Sequence, residues 1–251
     1  HPGPRDWNRY GGWNTGPKLA ATGFFRTQKH QGRWWLVDPE GRLFFSHGID
    51  CVRMLDVTPI DQRAAWFVDF PGNDPAFAEF LHPGFALKGH YANTHPRCFS
   101  FAGANLKRKY GPEWPKEIAE RVHLRLRNWG LNTIGMWSDE TIRLQRRTVY
   151  VDAIGSHGCQ LIEGSEGYWG KFPDVFDSSF AETLRRSMAA KKDKSAGDPW
   201  CLGYFADNEL SWGDEHALGI GTLTSPSTQA AKRVFVNDLK TAYGDIARLN
   251  A

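Results

Sequence analysis

Short apolar runs and stretches of helical spacing take turns along this chain of 251 residues. Residues 1–20 are rich in Gly, Pro and Trp without a period, which predicts an arm lying over another surface. Residues 22–26 and 33–38 are brief apolar and aromatic stretches around Gln28-Lys29-His30-Gln31-Gly32, a hairpin pattern with turn chemistry in its middle. Asp38-Pro39-Glu40-Gly41 predicts a second turn. Leu43 to Asp50 then reads as a buried strand that turns polar at its end, and 51–111 as a long irregular stretch. Ile118, Val122, Leu126 and Trp129 fall at helical steps, closed by Gly130. Leu131 to Trp137 predicts a strand, 139–146 a brief helix, Thr148 to Ile154 another strand, and 155–178 a loop. Ser179 with Glu182 has the spacing of a capping box and starts a helix with Phe180, Leu184 and Met188 on one face. Trp200 to Ala206 predicts a fourth strand. A closing helix begins at Ser225-Pro226 and runs through Ala231, Phe235, Leu239, Ala242, Ile246 and Leu249.

Strand followed by helix, four times over, with apolar strands that do not alternate, is the mark of parallel strands covered by helices. The expected class is α/β. An open doubly wound sheet would favour a glycine-rich phosphate loop after its first strand, but here that strand runs into Ser46-His47-Gly48-Ile49-Asp50. A (β/α)8 TIM-type barrel is therefore preferred. A complete barrel takes about 250 residues, whereas these residues reach only four βα units. The expected organisation is an N-terminal arm and β-hairpin over 1–42, then the N-terminal half of a barrel over 43–251. Such a half exposes strand edges and an inner apolar face, so a complementary C-terminal half is expected as a second chain, a missing segment or a second copy.

The composition is that of an ordinary soluble globular chain, with 41% hydrophobic and 24% charged residues. No apolar run reaches the roughly 18 residues of a membrane span, and the first residues lack the basic and apolar regions of a secretion signal. No membrane association is expected; secretion or a periplasmic location is expected if the substrate is a polysaccharide. A net charge of +3 is too weak a field to imply nucleic acid. Lys191, Lys192 and Lys194 read as a solvated helix end. The four cysteines form no CxxC pair, so neither a zinc site nor a redox motif is indicated, and no cofactor or metal is expected. The excess is in tryptophan, 11 in all, whose flat rings suit both protein cores and sugar faces.

In parallel barrels the working groups stand at the C-terminal ends of the strands. The polar residues read at those ends are His47 and Asp50; Trp137, Ser138 and Asp139; Ser156 and His157; and Asp207, Asn208 and Glu209, followed by Trp212. The fourth group is the densest, with a carboxylate beside an amide and an indole, the parts for acid/base work on a polyhydroxylated substrate. Trp137, Trp169 and Trp212 stand where a sugar platform would be, with core packing as the other reading. Asp50 either binds a sugar hydroxyl or holds its loop. His47 is either a sugar contact or a hydrogen-bonded core histidine.

The segment Gly203-Tyr-Phe-Ala-Asp207-Asn208-Glu209-Leu-Ser-Trp212-Gly213 resembles the Asn-Glu motif at the fourth strand of clan A glycoside hydrolases. Together with Gly32-Arg-Trp-Trp-Leu-Val-Asp-Pro-Glu-Gly41 and Trp129-Gly-Leu-Asn-Thr-Ile134, it looks most like family 50 β-agarases, over roughly residues 22–250. The resemblance implies a retaining hydrolase of a β-linked galactan such as agarose. It implies Glu209 as general acid/base and Asn208 as the hydrogen-bond partner of the sugar 2-hydroxyl. Retention needs a second carboxylate roughly 5–5.5 Å away as nucleophile, which the family takes from its seventh strand. No spacing makes Glu163, Glu166 or Asp139 its substitute, so hydrolysis is expected only with the remaining half. A non-catalytic carbohydrate-binding module and a structural subunit of a larger assembly are the alternatives.

Overall fold

The computed structural model describes residues 3–86 and 88–251, which divide into two compact units, His1–Tyr150 and Val151–Ala251. In the first unit, β1 (Arg26–His30) and β2 (Arg33–Val37) form the expected hairpin, in antiparallel register from Arg26 opposite Val37 to His30 opposite Arg33. The turn is tighter than its polar stretch suggests. Only Gln31 and Gly32 stand outside the strands, both with positive φ (49° and 79°), the backbone that a two-residue hairpin turn with right-handed twist demands. Gln28, Lys29 and His30 are strand residues.

The strand predicted over 43–50 breaks in two. β3 (Leu43–Phe44) pairs antiparallel with β2 and completes a three-stranded sheet, whereas β4 (Gly48–Ile49) pairs in parallel with a later strand. Apolar content alone could not show that the chain changes sheets between Phe44 and Gly48. The turn before β3 is held by Asp38, which is fully buried. Its Oδ1 accepts from the amides of Glu40 and Arg42, both at 2.9 Å, and its Oδ2 from Asn8 Nδ2 at 2.6 Å, which ties the N-terminal arm to the hairpin.

The stretch 51–111, expected to be irregular, has a core of its own. β5 (Thr58–Pro59), β6 (Leu81–Pro83) and β7 (Arg97–Phe99) form an antiparallel sheet in the order β5-β7-β6. Helix α1 (Phe101–Tyr110) follows, its first turn capped by Ser100, whose Oγ accepts from the Gly103 amide at 3.1 Å. Ile60, Phe80, Phe99 and Ala104 bury together with Trp114 and Ile118. Phe99 sits at the hub, its ring 5.0 Å from Phe101 and 5.2 Å from Phe70. Strands of two or three residues and phenylalanines without a period leave no pattern to read.

Helix α2 (Trp114–Asn128) matches its predicted period and buries Ile118 and Leu126, while Trp129 lies beyond its end and is exposed. β8 (Thr133–Ile134) pairs in parallel with β4, Gly48 opposite Thr133, and with the first residues of β9 (Val149–Ile154), Thr133 opposite Val149. A single turn, α3 (Glu140–Arg143), connects them. Ile134, Val149 and Tyr150 are fully buried.

His123 of α2 is buried, its ring nitrogens on Thr148 Oγ1 at 2.9 Å and the Ile142 carbonyl at 3.2 Å. Burial above all, with the nearby Arg147 charge, pushes its pKa down to about 4. The unfolded chain, with a histidine near 6.5, binds more protons between pH 6.5 and 4, so stability falls as pH drops through that window. The expected loss is on the order of 3 kcal/mol. Urea unfolding of the protein at pH 7 and pH 4.5 checks this. His123→Leu should remove most of the difference between the two.

In the second unit β9 continues beside β10 (Cys201–Ala206). Helix α4 (Ser178–Ala189) starts before its predicted position. Its cap is Asp177, whose side chain accepts from the Ser179 amide, and Ser179 Oγ donates to the same oxygen instead of capping. Of the predicted apolar face, Met188 is exposed, and the buried side chain of the helix is Thr183. Lys191 is not a solvated helix end, since its Nζ lies 2.9 Å from buried Asp152. A helix that the spacing did not predict, α5 (Ala217–Thr224), precedes Ser225, and the closing helix is two: α6 (Ala230–Tyr243) and α7 (Ile246–Leu249). Among the described residues, no helix is long and apolar enough to cross a membrane.

Candidate functional site

β10 ends at Ala206, and the chain then makes an abrupt turn. Asp207 and Glu209 both adopt left-handed backbone, with φ of 54° and 46°, which costs on the order of 1–2 kcal/mol for each side-chain-bearing residue. Strand alternation therefore does not govern where Asp207 points. Its carboxylate instead clamps the loop after β9, Oδ1 accepting from the Ser156 amide at 2.8 Å and Oδ2 from Ser156 Oγ at 2.9 Å. Asp207→Ala loses both bonds and the tolerance of Asp for this backbone. It should destabilise the protein by about 2–4 kcal/mol in denaturant unfolding, and Asp207→Asn, which keeps an acceptor and the backbone tolerance, by about half as much.

Asn208 and Glu209 are exposed. The Glu209 carboxylate is held from the 155–178 loop, where Trp169 Nε1 donates to Glu209 Oε2 at 2.6 Å. Two neighbours fix the Trp169 indole. Tyr168 meets its ring edge-on at 4.5 Å, and the Trp169 amide donates to Ser211 Oγ at 3.4 Å. Trp212 packs against Phe172 at 4.7 Å yet keeps 61% of its surface exposed. A carboxylate held by one exposed indole is thus assembled from one strand end and one loop, with a second exposed indole three residues further along the chain. Glu163 and Glu166 of the same loop are exposed, as is His157, while Ser156 is buried under Asp207.

In the first unit the loops after β4 and β8 lace together. Asp50 Oδ1 accepts from the Met136 amide at 2.7 Å, Cys51 N donates to the Met136 carbonyl at 2.8 Å, and Asp139 Oδ2 accepts from the Met54 amide at 2.7 Å. Of the two roles read for Asp50, holding its loop is the one its contacts show. Trp137, on this loop, has a φ of 55° and is half exposed. His47 stands apart from both. It lies at the start of β4, where its amide donates to Asn132 Oδ1 at 2.9 Å and its ring Nδ1 meets the Gly130 carbonyl at 3.1 Å. It is exposed, not a core histidine. Only Gly48 and Ile49 separate it from Asp50 in sequence, but the two occupy opposite ends of the strand. The sequence carries no sign of this, because the pairing of 47–49 with 132–135 decides it.

Among the described residues, no three His, Cys, Asp or Glu side chains gather into a group that could hold a metal ion. All four cysteines are free, with Cys98 and Cys159 buried and Cys51 exposed.

No protein-family model matches the chain. It is similar to solved structures over nearly its whole length. It superposes on an exo-β-agarase with a TM-score of 0.89 at 27% identity, covering 99% of this chain and 40% of that one. On PfGH50B the TM-score is 0.85 at 29% identity, covering 98% and 39%. These neighbours give the chain a glycoside hydrolase fold, with mixed sheets and helices. It is 35% identical to β-agarase B of Vibrio sp. (strain JT0107) over 96% of its length. The chain is family 50 β-agarase-like, as its Asn208-Glu209 segment implied. It spans 28% of the length of that Vibrio relative.

Proposed function

We propose that the chain is the acid/base-bearing part of a retaining glycoside hydrolase that cleaves β-glycosidic bonds in a galactan such as agarose. The observation that carries this reading is the exposed Glu209 carboxylate, directly after Asn208 at the end of β10, steadied by the Trp169 indole at 2.6 Å. Glu209 gives its proton to the leaving glycosidic oxygen and later takes one from water. Asn208 hydrogen-bonds the sugar 2-hydroxyl, and Trp169 and Trp212 offer ring faces to pyranose C–H groups. Trp137 is a sugar contact of the first unit, on a loop that Asp50 holds through the Met136 amide. Residues 43–251 supply about the first four βα units of a (β/α)8 barrel, with 1–42 as arm and hairpin. The complementary half brings the nucleophilic carboxylate. A protein acting on such a polysaccharide is secreted or periplasmic.

The similarity to agarases over nearly the whole chain supports the substrate class. The test is hydrolysis of agarose by the intact protein, or by this chain mixed with a C-terminal barrel half, with the anomer released followed by NMR. The first-formed product should keep the β configuration. An initial α product overturns the retaining mechanism, and tight saccharide binding with no turnover in any pairing overturns the enzyme.

A further inference from the structure

The first unit holds a cavity of about 320 Å3 at the opposite end of β4 and β8 from Asp50 and Trp137. It opens at the start of β4 and β8, where the N-terminal arm crosses the hairpin. The arm is fastened there by Asn132, whose Nδ2 donates to the Gly11 carbonyl at 3.2 Å and to the Phe45 carbonyl at 3.0 Å. Trp7 and Trp13 pair across a short antiparallel bridge of the arm, and the Trp13 amide donates to the Leu43 carbonyl at 2.8 Å. Trp13 Nε1 donates to Thr15 Oγ1 at 2.9 Å, which sets the ring. Trp35 of β2 and Phe45 complete an aromatic lining, and Asp6 and His47 add polar groups.

The geometry points to a second saccharide site in this cavity, one that takes a short stretch of neutral polysaccharide and is separate from Glu209. Four aromatic rings line it, and Phe45 and Trp13 are 76% and 45% exposed. Pyranose C–H faces stack on such rings without giving up their hydroxyls. The polar lining supplies acceptors for those hydroxyls. The Gly130 carbonyl can only accept, so the proton of a neutral His47 ring is on Nδ1, and Nε2 is left as an acceptor. Asp6, exposed on the arm, brings a carboxylate. Among the described residues neither Lys nor Arg lines the cavity, which disfavours an anionic ligand. The volume is at the lower end of the roughly 300–1,000 Å3 of small-molecule sites and suits a few sugar rings.

The test uses the intact protein carrying Glu209→Gln, with an agarose-derived hexasaccharide as probe and hydrogen exchange as readout. Saccharide should protect residues 5–14 and 43–47. Trp13→Ala should abolish that protection, weakening binding there by at least about tenfold, and leave any protection at 165–169 and 207–213 in place. Phe45→Ala, which truncates an exposed ring, should weaken the same protection and serves if Trp13→Ala does not fold. No protection of 5–14, or protection that both variants leave unchanged, overturns the site. Protection of 5–14 without any at 207–213 upholds it and instead counts against the reading of Glu209.

Discussion

Replacing Glu209 with Gln in the intact protein should lower kcat on agarose by about a thousandfold, the middle of the range for a lost general acid/base. This corresponds to about 4 kcal/mol of transition-state stabilisation. Gln keeps the size of the side chain and an oxygen that can accept from Trp169 Nε1, so the 2.6 Å contact has a partner in the variant. What it lacks is an acidic proton to give to the departing oxygen. Binding should accordingly change little, with the loss in kcat. A substrate with an activated aryl leaving group separates the acid role from a purely structural one, because such a group departs without protonation. Formation of the glycosyl-enzyme from that substrate should be slowed far less than agarose cleavage. Equal losses on both substrates would show that Glu209 does not act as the acid.

How much of the fold and the site is legible in the sequence depends on what pattern each element leaves there. Helix α2 and strands β9 and β10 were readable because each is long enough to show a period or an unbroken apolar run. The Asn208-Glu209 segment is readable from its residues, and so is Trp212 three positions on. The contact of Trp169 with Glu209 spans forty positions and follows from loop geometry that no local pattern encodes. The same holds for His47. Its distance from Asp50 along the chain is fixed, but which end of the strand it occupies depends on pairing with Asn132, eighty-five positions away. The core within 51–111 was hidden for another reason. Its strands are two or three residues long, and packing of Phe70, Phe80, Phe99 and Phe101 around one another replaces periodicity.

Gly167→Ala is expected to lower kcat by about a hundredfold, the scale of an ångström-sized misplacement of a working group. A Cβ at position 167 would lie 1.9 Å from Ser211 Cβ and 2.2 Å from Ser211 Oγ, whereas carbon atoms rest at about 3.5–4.0 Å. One of the two loops must therefore give way by well over an ångström. Trp169 stands two residues after Gly167, and Glu209 two residues before Ser211, so either movement separates the indole from the carboxylate it steadies. Overpacking should also cost about 1–3 kcal/mol of stability, read in denaturant unfolding. The two effects can be told apart. Ser211→Gly removes the obstructing side chain, so the double variant should recover much of the activity, less what the lost Ser211 Oγ acceptor for the Trp169 amide contributes. Trp169→Phe should lower kcat by itself, and adding Gly167→Ala to it should cost little more, because both act through one contact. If Gly167→Ala turns over agarose like the parent, or if its loss adds in full to that of Trp169→Phe, the hydrogen bond from Trp169 is not what holds Glu209 ready.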